Sequence, residues 1–260
     1  MISSSLLLLL VSHLCFSDLS AAFNLGSPSS IRPRLISSSS LKSGPSDYEK
    51  KNAAVDVLSN FMQEESKDST NSIDAIDFAA PKFQKVPLPT LAAILDYELY
   101  EKEWFVTGNV NPIYFTDDFF FKDPDVELTG IESYARGVYK LFDQETSRAE
   151  IISCVVNEEI ENTITVTWRL SGDVSIGPGL TIKPYICTTF FTVNEESGLI
   201  TMQEDEFSIP QWDVLLSALF PFLIGKVTSP AAPPVDRQDI PKMPKMESES
   251  PFKSLFAMFK

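Results

Sequence analysis

The sequence predicts an α+β domain over residues 87–225: a helix, a strand, a second helix and then a run of antiparallel strands. Three observations predict it. Residues 113–142 read as an aromatic, acid-punctuated strand that stops at Asp123-Pro124 and passes Gly130 into a helix carrying Tyr134, Val138, Leu141 and Phe142. Residues 160–170 alternate cleanly, with Ile164, Val166, Trp168 and Leu170 on one face and Thr163, Thr165, Thr167 and Arg169 on the other. Turn-forming clusters at 171–180 and 194–198 then set off two more strands, 182–193 and 199–207.

In chain order, the first 46 residues differ from the rest. Residues 6–11 form an apolar core too short to span a bilayer, and Ser20-Ala21-Ala22 is a small-residue site where a signal peptidase could cut before Phe23. Residues 23–46 hold nine serines, three basic residues and no acid, the composition of a transit peptide. We therefore read 1–22 as a signal peptide and 23–46 as a transit peptide, with a secretory signal and a linker as the alternative. Residues 47–86 are acidic and polar and read as a disordered linker, although Val55, Leu58, Phe61 and Met62 have helical spacing.

Thr90 can cap a first helix built on Leu91, Ile94, Leu95, Leu99 and Phe105, which Gly108-Asn109 ends. The second helix spans 131–144, and a β-branched strand follows at 151–157. Residues 211–225 are apolar on nearly every side and interrupted by Pro221, which suits a cap on an open end of the sheet or an interface. Six prolines after Lys226 mark 226–260 as a disordered tail. It ends in a stripe of Phe252, Leu255, Phe256 and Phe259 beside Lys253 and Lys260, which reads as docking on protein, either its own domain or a partner's groove, or alternatively on a thylakoid membrane surface.

Removing residues 1–46 takes away Asp18, Arg32, Arg34 and Lys42 and leaves 18 basic and 35 acidic residues, a net charge of −17. Such a chain repels nucleic-acid phosphate and anionic lipid, so no nucleic-acid partner is expected. The one histidine, His13, lies in the leader. Ser-His-Asp and Cys-His catalysis, His-ligated zinc and non-haem iron triads are thereby excluded from the mature chain. Cys154 and Cys187 cannot build a four-thiolate site, and no metal or cofactor is expected. Each reads as a small buried hydrophobe, or the two as a redox pair if their strands are neighbours.

A first helix, then Tyr114, Asp117-Asp118, Phe121, Asp123-Pro124, Gly130, Tyr134 and Leu141 in that order, resembles the nuclear-transport-factor-2-like superfamily. The match continues through Trp168-Arg169-Leu170 and Gly198-Leu199-Ile200 to Asp205 and Phe207. Within the superfamily it is similar to a SnoaL-like domain of unknown function from plants, algae and cyanobacteria. The leader, with its Ala22-Phe23 junction, resembles the two-part plastid presequence of algae with secondary plastids. The resemblance implies a cone: a strongly curved antiparallel sheet wrapped around N-terminal helices, with a pocket on its concave face. Some members of the superfamily are isomerases, dehydratases or hydrolases, and others only bind or dimerise. Gln203 stands where this branch leads us to expect a basic residue or His, and Phe207 where we expect Trp. The chemistry left to an enzyme is therefore carboxylate and tyrosine chemistry of the isomerase kind.

The candidate base is Asp205 or Asp118, and the candidate donors are Tyr114 and Tyr134. Asp117 and Asp118 are adjacent, so at most one enters the pocket. Trp168, Val166, Gln203, Phe207 and Asp123 are the expected pocket lining. Each has a plainer reading. Asp before Pro more often caps a turn, tyrosines pack in cores with their hydroxyls bonded to backbone, and Trp168 fills a cone more readily than it lines one. Three consecutive acids, Glu204-Asp205-Glu206, more often mean solvated charge. The expectation is a plastid protein, stromal rather than secreted, that binds a small apolar ligand or serves as an accessory module, with the convex sheet face available for a homodimer. A His-free isomerase or lyase comes second, and an interaction protein working through residues 251–260 third.

Overall fold

Leu91, Ile94, Leu95 and Leu99 recur every three or four residues, and there the chain forms helix α1, Leu88–Lys102, with all four side chains buried. The computed structural model that shows this describes residues 72–175 and 179–244. The predicted signal peptide, the transit peptide and the stripe at 251–260 lie outside the described residues. Pro89 sits in the first turn of α1, where a missing N–H leaves no bond unmade. The helix consequently starts before Thr90, which does not cap it.

Glu103 takes a left-handed conformation (φ 47°) and breaks the predicted helix in two. Its carboxylate accepts the Ala149 N–H at 2.9 Å. A short helix α2, Trp104–Thr107, then ends at Gly108 (φ 66°). A Cβ at Gly108 would lie 2.2 Å from the Ala135 carbonyl oxygen, so only glycine fits this crossing.

Strand β1, Phe115–Lys122, turns at Asp123-Pro124 into a short β2, Glu127–Thr129, and Gly130 leads into helix α3, Ile131–Leu141. Four strands follow as an antiparallel meander: β3, Arg148–Val156; β4, Thr163–Val174; β5, Leu180–Val193; and β6, Ile200–Phe207. The sheet order is β2-β1-β6-β5-β4-β3, and β1 joins β6 in parallel. The result is a curved, unclosed six-stranded sheet with helices against one face, the architecture expected of the cone. β4 runs through Gly172 to Val174, where the sequence suggested a turn from residue 171, because a bulge at Leu170/Gly172 lets pairing with β5 continue.

Two segments expected to lack structure pack on the domain. Ser72–Ala75 forms a 3₁₀ turn that buries Ile73, and Arg136 pairs with Asp74 at 2.8 Å. Residues 226–244 leave helix α4, Gln211–Leu219, and the 3₁₀ turn Pro221–Leu223 as an extended strap. Prolines keep the strap out of a ladder, so other groups hold it. The Ala232 N–H donates to the Pro184 carbonyl of β5 at 2.8 Å, and Arg169 of β4 donates to the Ala232 carbonyl at 3.1 Å. Arg237 then clamps Asp96 of α1 with two bonds of 2.8 and 2.7 Å. The strap thus crosses the outer side of the sheet that a homodimer would use.

Cys154 and Cys187 are both free thiols on β3 and β5, with β4 between them. Their strands are not neighbours, which removes the redox pair.

Candidate functional site

Alternation places Ile164, Val166, Trp168 and Leu170 on the inner face of β4, all buried. The same rule sends Thr189 and Phe191 inward from β5, and Gln203 and Asp205 inward from β6. These residues meet across the floor of the cone. Register pairs Trp168 with Cys187 and Thr189 with Asp205, so neighbouring rungs bring an indole, a hydroxyl and a carboxylate together.

The polar groups form one relay. The Trp168 indole N–H donates to Thr189 Oγ1 at 3.0 Å, and Thr189 donates onward to Asp205 Oδ1 at 2.6 Å. Gln203 Nε2 lies 3.2 and 3.3 Å from the two Asp205 oxygens and 3.1 Å from the Tyr134 hydroxyl. Gln203 Oε1 is buried and has no partner among the described residues. Burial pushes the Asp205 carboxyl up to about 7, against the opposing pull of the Thr189 and Gln203 hydrogen bonds. Burial also raises Tyr134 well above its ordinary range, with the Asp205 charge adding to the effect.

Aromatic rings cluster over this floor. Phe105 of α2 stacks on Trp168 with ring centroids 4.6 Å apart and on Phe191 at 6.1 Å. Trp104 meets Phe105, Phe115 and Phe191 edge-on, and Phe115 meets Phe119 at 4.9 Å. Trp168 is only 3% exposed and Val166 fully buried, and both pack within the core, which for Trp168 is the plainer of the two readings the sequence offered. Phe207 is half-buried at the mouth and packs on Tyr185.

The other candidates lie elsewhere. Asp118 is exposed, as is Asp117, which pairs with Lys82 at 3.0 Å. The cause is a bulge in β1: Phe115 pairs with Ile200, but Phe120 already pairs with Met202, so the intervening residues leave the alternation. Tyr114 is buried and donates to Glu98 of α1 at 3.2 Å. Asp123 caps the β1–β2 turn, accepting the Asp125 and Val126 N–H groups at 2.7 and 2.6 Å. Burial raises its carboxyl to about 7 even so, with Asp125 and Asp205 adding charge repulsion. Gln211 closes this rim by donating to Asp125 at 2.5 Å and to the Pro124 carbonyl at 3.0 Å. Of the four proposed catalytic residues, only Asp205 and Tyr134 come together, through Gln203.

Sequence reasoning missed Thr189, Phe105 and Glu98. Thr189 was recoverable, because it sits in phase between Cys187 and Phe191 on the inward face of its strand. Phe105 was placed on the first helix, but no periodicity signalled the break at Glu103 that turns it onto Trp168. Among the described residues no cluster of His, Cys, Asp and Glu could hold a metal ion.

Solved structures similar to this chain are SnoaL-like and NTF2-like proteins. A SnoaL-like protein from Jannaschia sp. CCS1 is 14% identical, with 52% of this chain and 96% of that one covered and a TM-score of 0.38. A protein with a ketosteroid isomerase-like fold from Catenulispora acidiphila, solved with trimethylamine, is 13% identical over 50% of this chain and 92% of its own, with a TM-score of 0.36. An NTF2-like protein from Anabaena variabilis is 17% identical over 49% and 96%, with a TM-score of 0.35. What those proteins bind or catalyse belongs to them. No protein-family model matches the sequence, and no curated protein does.

Proposed function

We propose that this protein is an accessory module, a rigid cone whose interior is a packed core and whose outer surfaces do the binding. One observation carries the reading. Phe105 stacks on Trp168 over the floor, and Asp205, the carboxylate on the inner face of β6, is already engaged by Thr189 and Gln203 with 9% exposure. A base for enolate chemistry needs its carboxylate beside a space that a substrate can enter. The composition of residues 1–46 supports a plastid address for the module.

An isomerase- or lyase-like reading keeps one specific support: Asp205 at about 7, bridged by Gln203 to the Tyr134 hydroxyl. Substituted phenols mimic an enolate, so titrating them into the full chain separates the two. Side-chain signals of the Trp168 indole and the Gln203 amide should stay fixed in NMR spectra. A saturable shift of both signals would establish a ligand chamber and sink the accessory reading.

A further inference from the structure

Among the described residues, an apolar surface gathers where helix α4 runs into the start of the strap. Helix α4 and the turn Pro221–Leu223 form a corner beyond the sheet, and the tight bridge between Ile224 and Thr228 folds the chain back from it. Its aromatic and aliphatic side chains point outward: Phe222 is 68% exposed, Val227 60%, Phe220 42% and Trp212 36%. Phe220 and Phe222 pack edge-on with centroids 6.1 Å apart. The base is rigid, because Asp213 is buried, pairs with Lys183 and accepts the Ser229 N–H and hydroxyl at 2.7 Å each. Several large apolar groups on a fixed projection mark a binding surface.

Charge identifies what it binds. The chain has 36 acidic residues against 21 basic, yet residues 214–235 contain no acid and a single base, Lys226. Lys226 is exposed beside Val227 at the edge of the apolar tip, where a long side chain can reach headgroups while its stem lies on acyl chains. α4 has nine residues, and no described helix is long and apolar enough to cross a membrane, so the corner lies in an interface and does not span it.

We propose that the corner formed by Trp212, Phe220, Phe222 and Val227 docks the protein on a bilayer of neutral headgroups. The surrounding negative charge disfavours anionic surfaces. The proposal is independent of whether the cone is catalytic.

Trp212 is a native reporter, since the other two tryptophans, Trp104 and Trp168, are buried. Full-length protein mixed with phosphatidylcholine vesicles brominated along the acyl chains should lose the Trp212 component of its fluorescence, and Trp212→Phe should abolish that quenching. Phe222→Ser, an exposed position where misfolding is not expected, should lower vesicle partitioning about tenfold. Phe220→Ser/Phe222→Ser should lower it further, although the apolar leader is unchanged. Adding anionic lipid should weaken the wild type. Unquenched Trp212, or binding that grows with anionic lipid, overturns the proposal. A concentration-dependent dimer that Phe222→Ser dissolves would assign the corner to a second copy and overturn it equally.

Discussion

Asp205 and Asp123 set the pH response of the fold at the level of single residues. Burial raises both carboxyls to about 7 in the folded state, against about 4 in an unfolded chain. Between pH 4 and 7 the unfolded chain releases these protons while the folded chain keeps them, so stability falls as pH rises through that window. Asp213 works in the opposite sense. Burial pushes it up, but Lys183 and Ser229 donate to it and leave it below its ordinary value. Its contribution is present above about pH 4 and lost as acidification protonates it in the folded protein. Thermal unfolding should therefore show greater stability near pH 5 than at pH 8. Asp205→Asn should flatten that decline by on the order of 1–3 kcal/mol, and an unchanged slope would mean that Asp205 is ionised throughout. The Lys183–Asp213 pair gives a second measurement. Both side chains are 1% exposed, so Lys183→Met strands a buried carboxylate and should cost about 3–5 kcal/mol in denaturant unfolding. Lys183→Met/Asp213→Leu should recover most of that loss, and failure to recover would assign the damage to packing.

Among the elements, the strap separates what the sequence could show from what it could not. Five prolines and no apolar periodicity correctly argue against helix or strand at 226–244. They say nothing of a chain held by other residues' side chains. Arg169, Lys183 and Asp96 come from β4, β5 and α1, far away in sequence, and only the assembled sheet brings them to the strap. The same limit explains β1. Its aromatic alternation predicted a strand, but the bulge that turns Asp117 and Asp118 outward is a property of pairing with β6, not of β1 itself. The Asp123 turn, by contrast, was legible, because an Asp before Pro satisfies its own following N–H groups locally. The strap's latch is testable. Arg237 makes two charge-assisted bonds to Asp96, is largely shielded from water and lies 6.0 Å from the Tyr100 ring centroid. Arg237→Ala should lower stability by about 1–2 kcal/mol and speed amide exchange at Ala232 and along 236–240. Exchange that stays slow there would show that the prolines alone hold the strap.

At the scale of the whole molecule, the order of elements was readable because each depends on short-range signals: helical spacing in α1 and α3, period-two alternation in β4 and β6, and turn residues between them. The candidate site was half readable for the same reason. Alternation correctly turned Gln203 and Asp205 inward together, whereas the filling of the cone depends on Phe105, which reaches Trp168 only because Glu103 adopts a left-handed backbone. On the proposed accessory reading, function rests on the outer surfaces and on where the protein is sent. We propose that residues 1–22 and 23–46 divide that address into two steps: an apolar core with a small-residue cut site, then an acid-free serine-rich segment. If both steps operate, a fluorescent protein carrying residues 1–46 should accumulate in the plastid of an alga with secondary plastids. One carrying residues 1–22 alone should stop in the secretory pathway, because the second step needs the basic, serine-rich segment. Secretion of the 1–46 fusion would rule out the plastid address and leave residues 23–46 as a linker. Retention of both fusions in the cytosol would rule out the signal peptide as well, because the apolar core at residues 6–11 is the only element in the leader able to engage a translocon.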